Sequence, residues 1–252
     1  MIMLSGHAAA AMLAAFLASL VECVEALTVV LAVGTVRGWS GALAGTGLAL
    51  TTLTLLVVAL GPALTTIPLE AIPFGLGLLL LLFGMRWLRK AILRAAGVIP
   101  LHDEEAVYAR ETQTLRGGAA RADAWDKVAV ATAFKITMIE GIEVVFIVIA
   151  TGAGGSQMLV AATIGAAAAL LLVVLLGVLL RHPVAMIPEN ALKFAVGVLL
   201  CAFGTFWVGE GLGLPWPGHD WALAGLAAGF LAAALGTVPF CRPSNGRITH
   251  RR

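Results

Sequence analysis

The chain has 252 residues, of which 60% are hydrophobic and 12% are charged, with 16 basic residues against 14 acidic ones. Soluble domains carry about 25% charged residues, so this composition excludes an ordinary cytosolic protein, a disordered chain and a nucleic-acid-binding protein. We therefore expect an all-α integral membrane protein that contacts the lipid bilayer and binds no nucleic acid.

Seven stretches are long and apolar enough to cross a membrane as helices, which takes about 20 residues each. In chain order they are 8–35, 41–60, 68–88, 128–150, 158–180, 188–208 and 220–240. The polar segment 89–127, which separates the third stretch from the fourth, is predicted to be a solvated cytoplasmic connector. Residues 211–252 add a seventh helix and a basic cytoplasmic tail.

The basic residues predict the orientation in the membrane. With these spans, Lys and Arg lie on one side only: Arg37, the eight basic residues from Arg86 to Lys127, Lys135 at the start of the fourth span, Arg181, Lys193 and four arginines after residue 241. The other side has Glu70, Glu210 and Asp220. Because cytoplasmic loops carry the excess of Lys and Arg, we expect the N-terminus outside and the C-terminus in the cytoplasm, in a bacterial-type inner or plasma membrane.

The two halves of the chain resemble each other. A shift of 118 residues aligns the first span with the fourth, and a shift of 120 aligns the third span with the sixth. Identical positions include Phe16/Phe134, Glu22/Glu140, Glu25/Glu143, Gly77/Gly197, Gly84/Gly204 and Trp87/Trp207; Glu70 aligns with Asn190. Three spans per repeat is an odd number, so residues 1–88 and 128–210 are predicted to be inverted repeats, as in many secondary transporters.

Two pairs of glutamates lie in the middle of predicted spans. Glu22 and Glu25 lie in the first span, and Glu140 and Glu143 lie in the fourth. Residues three apart share a helix face, so each pair presents two carboxyl groups on one side. A charge at the bilayer centre costs at least about 2.5 kcal/mol, so these groups should face the bundle interior, and repeat symmetry places the pairs opposite each other.

Four converging carboxyl groups predict a site for a divalent metal cation, because Ca²⁺ and Mn²⁺ prefer oxygen ligands. Crowded carboxyl groups also hold protons, so cation entry would expel them and couple transport to protons. The hydroxyl groups of Ser19, Thr28 and Thr137 lie one turn from a glutamate. They either assist the site or bond to their own helix. The alternative for the glutamates is a structural role as protonated groups that join helices.

The repeat motifs resemble two families of metal transporters. The stretch 16–210 is similar to the Golgi and chloroplast calcium/manganese–proton exchangers of the lysine-exporter superfamily, whose inverted repeats each carry an E-x-G-D-[KR]-[ST] motif. The resemblance implies that Glu22 and Glu140 match the motif glutamate. It also implies that Glu25 and Glu143 replace the motif aspartate. The basic and hydroxyl residues that follow the aspartate in the motif are replaced here by apolar residues.

The second resemblance is to iron permeases that work with a ferroxidase. These proteins have seven helices and an R-E-G-L-E motif in helices 1 and 4. The stretch Glu140-Gly141-Ile142-Glu143 is similar to this motif, although Val21 and Ile139 replace its arginine. This resemblance implies Fe²⁺ as the transported ion.

We therefore predict a transporter of divalent cations (Ca²⁺, Mn²⁺ or Fe²⁺) with no permanently bound cofactor. The alternatives are an iron permease-like uptake protein and a membrane metal sensor or assembly subunit that does not transport. The sequence leaves open whether the protein forms a homo-oligomer. An enzyme is not expected, because the sequence has neither an H-E-x-x-H nor a G-x-S-x-G motif.

Overall fold

The computed structural model describes residues 6–64, 72–117, 126–152, 155–179, 189–218 and 220–242, and every regular element within them is helical. The predictions made for Glu70, Arg181 and the C-terminal tail after residue 242 concern residues outside these ranges. The helices are α1 (Gly6–Arg37), α2 (Trp39–Leu64), α3 (Ile72–Ala95), α4 (Glu104–Gly117), α5 (Lys127–Thr151), α6 (Ser156–Leu179), α7 (Glu189–Gly211) and α8 (Asp220–Cys241).

Within the described ranges, five helices are long and apolar enough to cross a membrane, namely α1, α2 up to Val57, α6 up to Val178, and most of α7 and α8. An all-helical membrane protein is thereby supported, and seven spans stay a prediction. The other two long helices carry several charges: α3 has Arg86, Arg89, Lys90 and Arg94, and α5 has Lys135, Glu140 and Glu143. Large apolar side chains such as Leu171, Val178 and Phe240 lie exposed on the outer helices, as a lipid-facing surface requires.

Helix α3 extends seven residues beyond the predicted end of the third span, at residue 88. The apolar run ends there, but Ala91 is buried and Ile92 packs against the α7–α8 core, so packing continues the helix into a basic stretch. It stops at Gly97, where φ is 74° and the following N–H of Val98 bonds back to Leu93 at 2.9 Å.

Helices α1 and α5 run in opposite directions. Arg37 at the end of α1 forms an ion pair with Asp126, just before α5, and the N–O distance is 2.7 Å. Glu22, half-way back along α1, hydrogen-bonds Glu140, half-way along α5. The end of α1 therefore lies beside the start of α5, and the middles of the two helices cross. The two repeat-related glutamates meet at this crossing.

Helices α3 and α7, which the repeat also relates, pack antiparallel along a seam of small residues. Gly77 lies against Val208, Gly84 lies against Cys201, and Gly197 lies against Leu88. A Cβ at Gly84 would come within 2.6 Å of the backbone nitrogen of Cys201, so the two backbones approach as closely as glycine allows. Antiparallel packing of two related helices is the arrangement that an inverted repeat requires.

The remaining helix pairs also combine one helix from each repeat. Helix α1 packs against α6 with the two chains parallel, since Phe16 lies near Gly165 and Leu27 near Gly177. Helix α5 packs parallel to α2 in the corresponding way: the contacts run Gly41–Ala129, Gly45–Ala133 and Leu53–Gly141. Each first helix of a repeat thus packs on the second helix of the other repeat.

The predicted connector contains a docked helix. Helix α4 packs along the Arg37 end of α1, where Leu115 is buried with Val29, Val33 and Ala133. The hydroxyl of Tyr108 lies 3.0 Å from that of Thr35. Eight of the fourteen residues of α4 are charged or are Thr or Gln, but Tyr108 and Leu115 lie on the face that meets the bundle. This part of segment 89–127 is therefore packed structure.

The α3–α7 seam predicts a stability effect for Gly204→Ala. The new Cβ would lie 2.7 Å from Leu81 Cα and 2.8 Å from the carbonyl oxygen of Gly77, both in a backbone that cannot yield easily. We expect a loss of about 1–3 kcal/mol, seen as earlier thermal unfolding in detergent. Gly229→Ala on α8, where nothing lies within 4 Å, is the control and should not destabilise. Equal unfolding temperatures for the Gly204→Ala and Gly229→Ala variants would contradict close backbone packing at the α3–α7 seam.

The Arg37–Asp126 ion pair predicts a pH effect. The hydrogen bond from Arg37, with those from Val128 and Ala129 N–H, holds the pKa of Asp126 below its ordinary value of 3.8. The stability that this carboxylate contributes is present above pH 3.8 and is lost as the pH falls through the lowered pKa. Asp126→Asn keeps the helix cap and removes the charge. It should lower the unfolding temperature at neutral pH, and the gap should close in strong acid.

The matched control is Asp103→Asn. Asp103 caps α4 by accepting from Glu105 N–H at 3.0 Å, and no ion pair of Asp103 occurs within the described ranges. Because Asn caps almost as well as Asp, this change should cost little at neutral pH. A neutral-pH loss as large as that of Asp126→Asn would show that the ion pair is not the source of the effect.

Candidate metal site

Three carboxyl groups converge where α1 crosses α5. One oxygen each from Glu22, Glu140 and Glu143 lies within 4.8 Å of the other two, close enough to ligate a single ion. Glu22 is 2% exposed and Glu140 is 9% exposed, whereas Glu143 is partly exposed. The site therefore lies near the middle of both helices, away from bulk water.

Glu22 and Glu140 contact each other directly through a hydrogen bond between their carboxyl groups. Such a bond needs a proton on one of the two groups, because a carboxylate oxygen only accepts. The two residues are repeat mates in the sequence, and the structure brings them into contact.

Two buried hydroxyl groups lie one turn before these glutamates. Ser19 is fully buried, Thr137 is 7% exposed, and neither hydroxyl oxygen has a hydrogen-bond partner within the described residues. Buried hydroxyls normally find a partner, often by bonding to the preceding turn. Thr28 and Thr151 do so here. The unpaired hydroxyls on the glutamate faces are therefore available to a ligand or to water.

The fourth glutamate is engaged elsewhere. The carboxylate of Glu25 forms an ion pair with the ammonium group of Lys193 on α7. Glu25 is not part of the three-carboxylate group, although its repeat mate Glu143 is. The site thus departs from the two-fold symmetry of the sequence. Of the four carboxyl groups predicted to converge, three lie together in this arrangement and Glu25 lies outside the group.

Thr28 also has a different partner from the one expected. Its hydroxyl lies 2.9 Å from the carbonyl oxygen of Val24 and 2.5 Å from the carboxylate of Glu104. Glu104, at the start of α4, is 6% exposed, and its other oxygen lies 3.0 Å from Nε2 of His102. Thr28 therefore anchors the connector and does not contact the glutamate group.

Asn190 ties the same connector to α7. Its side-chain oxygen accepts from the backbone N–H of His102 at 3.1 Å, and its side-chain nitrogen donates to the carbonyl of His102 at 3.0 Å. Asn190 and Lys193 are three residues apart, so one face of α7 holds both the connector and Glu25.

Sequence reasoning missed two participants, Lys193 and Glu104. Lys193 was assigned to the cytoplasmic boundary with the other basic residues, and Glu104 to a solvated loop. One signal was available for Lys193: it is a charge inside an apolar stretch, and such charges are functional by default. No comparable signal marks Glu104, since its burial depends on how the connector folds back.

The comparisons with known proteins point to metal transport. A family described as ferrous iron uptake permease, iron-lead transporter, matches residues 109–215. The match runs from α4 through α7 and includes Glu140, Glu143 and Lys193, but it covers less than half of the chain. This part of the chain is similar to iron permeases, and the calcium/manganese exchanger resemblance receives no support. No curated protein and no solved structure matches.

The two unpaired hydroxyls predict a specific loss of metal binding. Ser19→Ala and Thr137→Val should each weaken Fe²⁺ binding about threefold to tenfold, as for a hydrogen bond worth about 1 kcal/mol. Equilibrium dialysis of the detergent-solubilised protein without oxygen measures this. The control is Thr163→Val, because the exposed Thr163 hydroxyl already donates to Leu159 at 2.8 Å. Unchanged affinity in both site variants would show that these hydroxyls do not contribute to metal binding.

Proposed function

We propose that the protein moves a divalent metal ion, ferrous iron, across the membrane through the three-carboxylate group of Glu22, Glu140 and Glu143. The observation that carries the proposal is the meeting of repeat-related glutamates at a buried helix crossing. The family match to ferrous iron permeases supports iron over calcium or manganese.

The chemistry of the group suits such an ion. All the donors at hand are oxygen atoms, from three carboxyl groups and the hydroxyls of Ser19 and Thr137. Carboxylate sites bind Fe²⁺ and Mn²⁺ without the very high affinity of thiolate sites, which suits an ion that must leave again. A cation that binds the carboxylates of Glu22 and Glu140 competes with protons for the same oxygen atoms.

The inverted arrangement gives a route for transport. Repeats that meet at a central site allow alternating access, in which one half moves against the other. Here the α1–α5 crossing holds the site, and the α3–α7 seam joins the two third helices. The orientation in the membrane and the direction of iron movement belong to the proposal.

The decisive test is uptake into proteoliposomes. Fe²⁺ kept reduced without oxygen should enter, and Glu22→Gln and Glu140→Gln should lower the rate about tenfold or more, which corresponds to 1.4 kcal/mol or more. Ca²⁺ and Mn²⁺ are measured in parallel, each with and without a pH gradient, to decide selectivity and proton coupling.

The matched control is Glu105→Gln, which neutralises an exposed glutamate on α4 and should leave uptake unchanged. Binding of Fe²⁺ in detergent without uptake would favour the sensor or assembly subunit. Preferential uptake of Ca²⁺ or Mn²⁺ would restore the exchanger reading. No uptake of any metal would refute transport.

A further inference from the structure

Lys193 is a structural feature of the site that the repeat does not explain. A shift of 120 residues aligns Lys193 with Pro73, so the first repeat has no corresponding cation. The Lys193 ammonium group pairs with Glu25, and both side chains are largely buried, with 14% and 25% of their surface exposed. Among the described residues Glu143, the mate of Glu25, forms no ion pair, although the charges of Arg86 and Lys90 on α3 act on it.

Lys193 also lies close enough to influence the metal site itself. Its charge acts on Glu140 and Glu143 as well as on Glu25. Glu25 lies one turn from Glu22 on the same face of α1, about 4.5 Å along the helix axis. The ammonium group therefore sits at the edge of the three-carboxylate group and neutralises the carboxylate that would complete it.

We propose that Lys193 is a tethered cation that competes with the transported metal ion for Glu25. While the ion pair is closed, the metal has three carboxylates. When α7 shifts and the ammonium group withdraws, Glu25 becomes a fourth ligand. Return of the ammonium group removes that ligand and assists release. This inference rests on the proposed function and adds a positioning residue to the same site.

The position of Lys193 on α7 supports this role. Asn190, one turn earlier on the same face, holds the backbone of His102 in the connector. A movement of α7 relative to α1 would therefore alter the connector and the ion pair together. A lysine suits this exchange, because its ammonium group is a compact point charge on a flexible stem.

The test is a double-mutant cycle on Fe²⁺ binding, measured by equilibrium dialysis in detergent without oxygen. Lys193→Met should tighten binding about tenfold and slow dissociation, because Glu25 becomes available as a ligand. In the Glu25→Gln background the same change should alter the affinity less than about threefold, since the effect requires the carboxylate. Lys193→Arg should remain close to wild type.

Controls separate the possible failures. Lys193→Gln provides a neutral hydrogen-bond donor for Glu25 and should also tighten binding, so it replaces the Met variant if that protein does not fold. Lys135→Met removes an exposed lysine of α5 and should have no effect. Unchanged or weaker binding in folded Met and Gln variants, or tightening that persists without Glu25, overturns the inference. Absence of Fe²⁺ binding by the wild type would instead refute the proposed function.

Discussion

The crowding of four glutamates near the middle of a helix bundle, two of them buried, is the constraint on which this structure depends. An isolated charge in that environment costs several kcal/mol, so each carboxyl group needs a partner. Glu22 and Glu140 contact each other, Glu25 pairs with Lys193, and Glu143 completes a group in which oxygen atoms lie within 4.8 Å. These contacts require α1, α5 and α7 to pack closely. Glycine contacts then join each of these helices to another one: α1 to α6, α5 to α2 and α7 to α3.

Much of this arrangement could be predicted from the sequence because it is local or repeated. Glu22 and Glu25 share a helix face by spacing alone, and the shift of 118 residues brings Glu140 and Glu143 into correspondence with them. Lys193 and Glu104 could not be placed in this way. The position of Lys193 depends on the packing of α7, and that of Glu104 depends on a connector that folds back. Neither residue has a counterpart in the other repeat. Symmetry in sequence therefore predicted four equivalent carboxylates, and the packing makes one of them different.

The connector links the site to the end of the bundle. Glu104 reaches Thr28, which lies one turn beyond Glu25 on α1, and His102 is held by Asn190, one turn before Lys193 on α7. The same two helices are thus joined twice, once by an ion pair at the site and once through the connector. A sequence of polar residues that appears solvated can in this way be part of the packed structure, because its few buried contacts fall on helices that carry the function.

The charges around the site suggest why the ion pair matters for a divalent ion. The Lys193 ammonium group cancels the charge of Glu25, so the metal faces the carboxyl groups of Glu22, Glu140 and Glu143, and the charges of Arg86 and Lys90 on α3 also act on Glu143. The site therefore attracts a divalent cation less strongly than four uncompensated carboxylates would. Without the lysine the fourth carboxylate would be uncompensated, and the site would hold the ion more strongly. A metal held too tightly leaves slowly, which is the opposite of what transport needs.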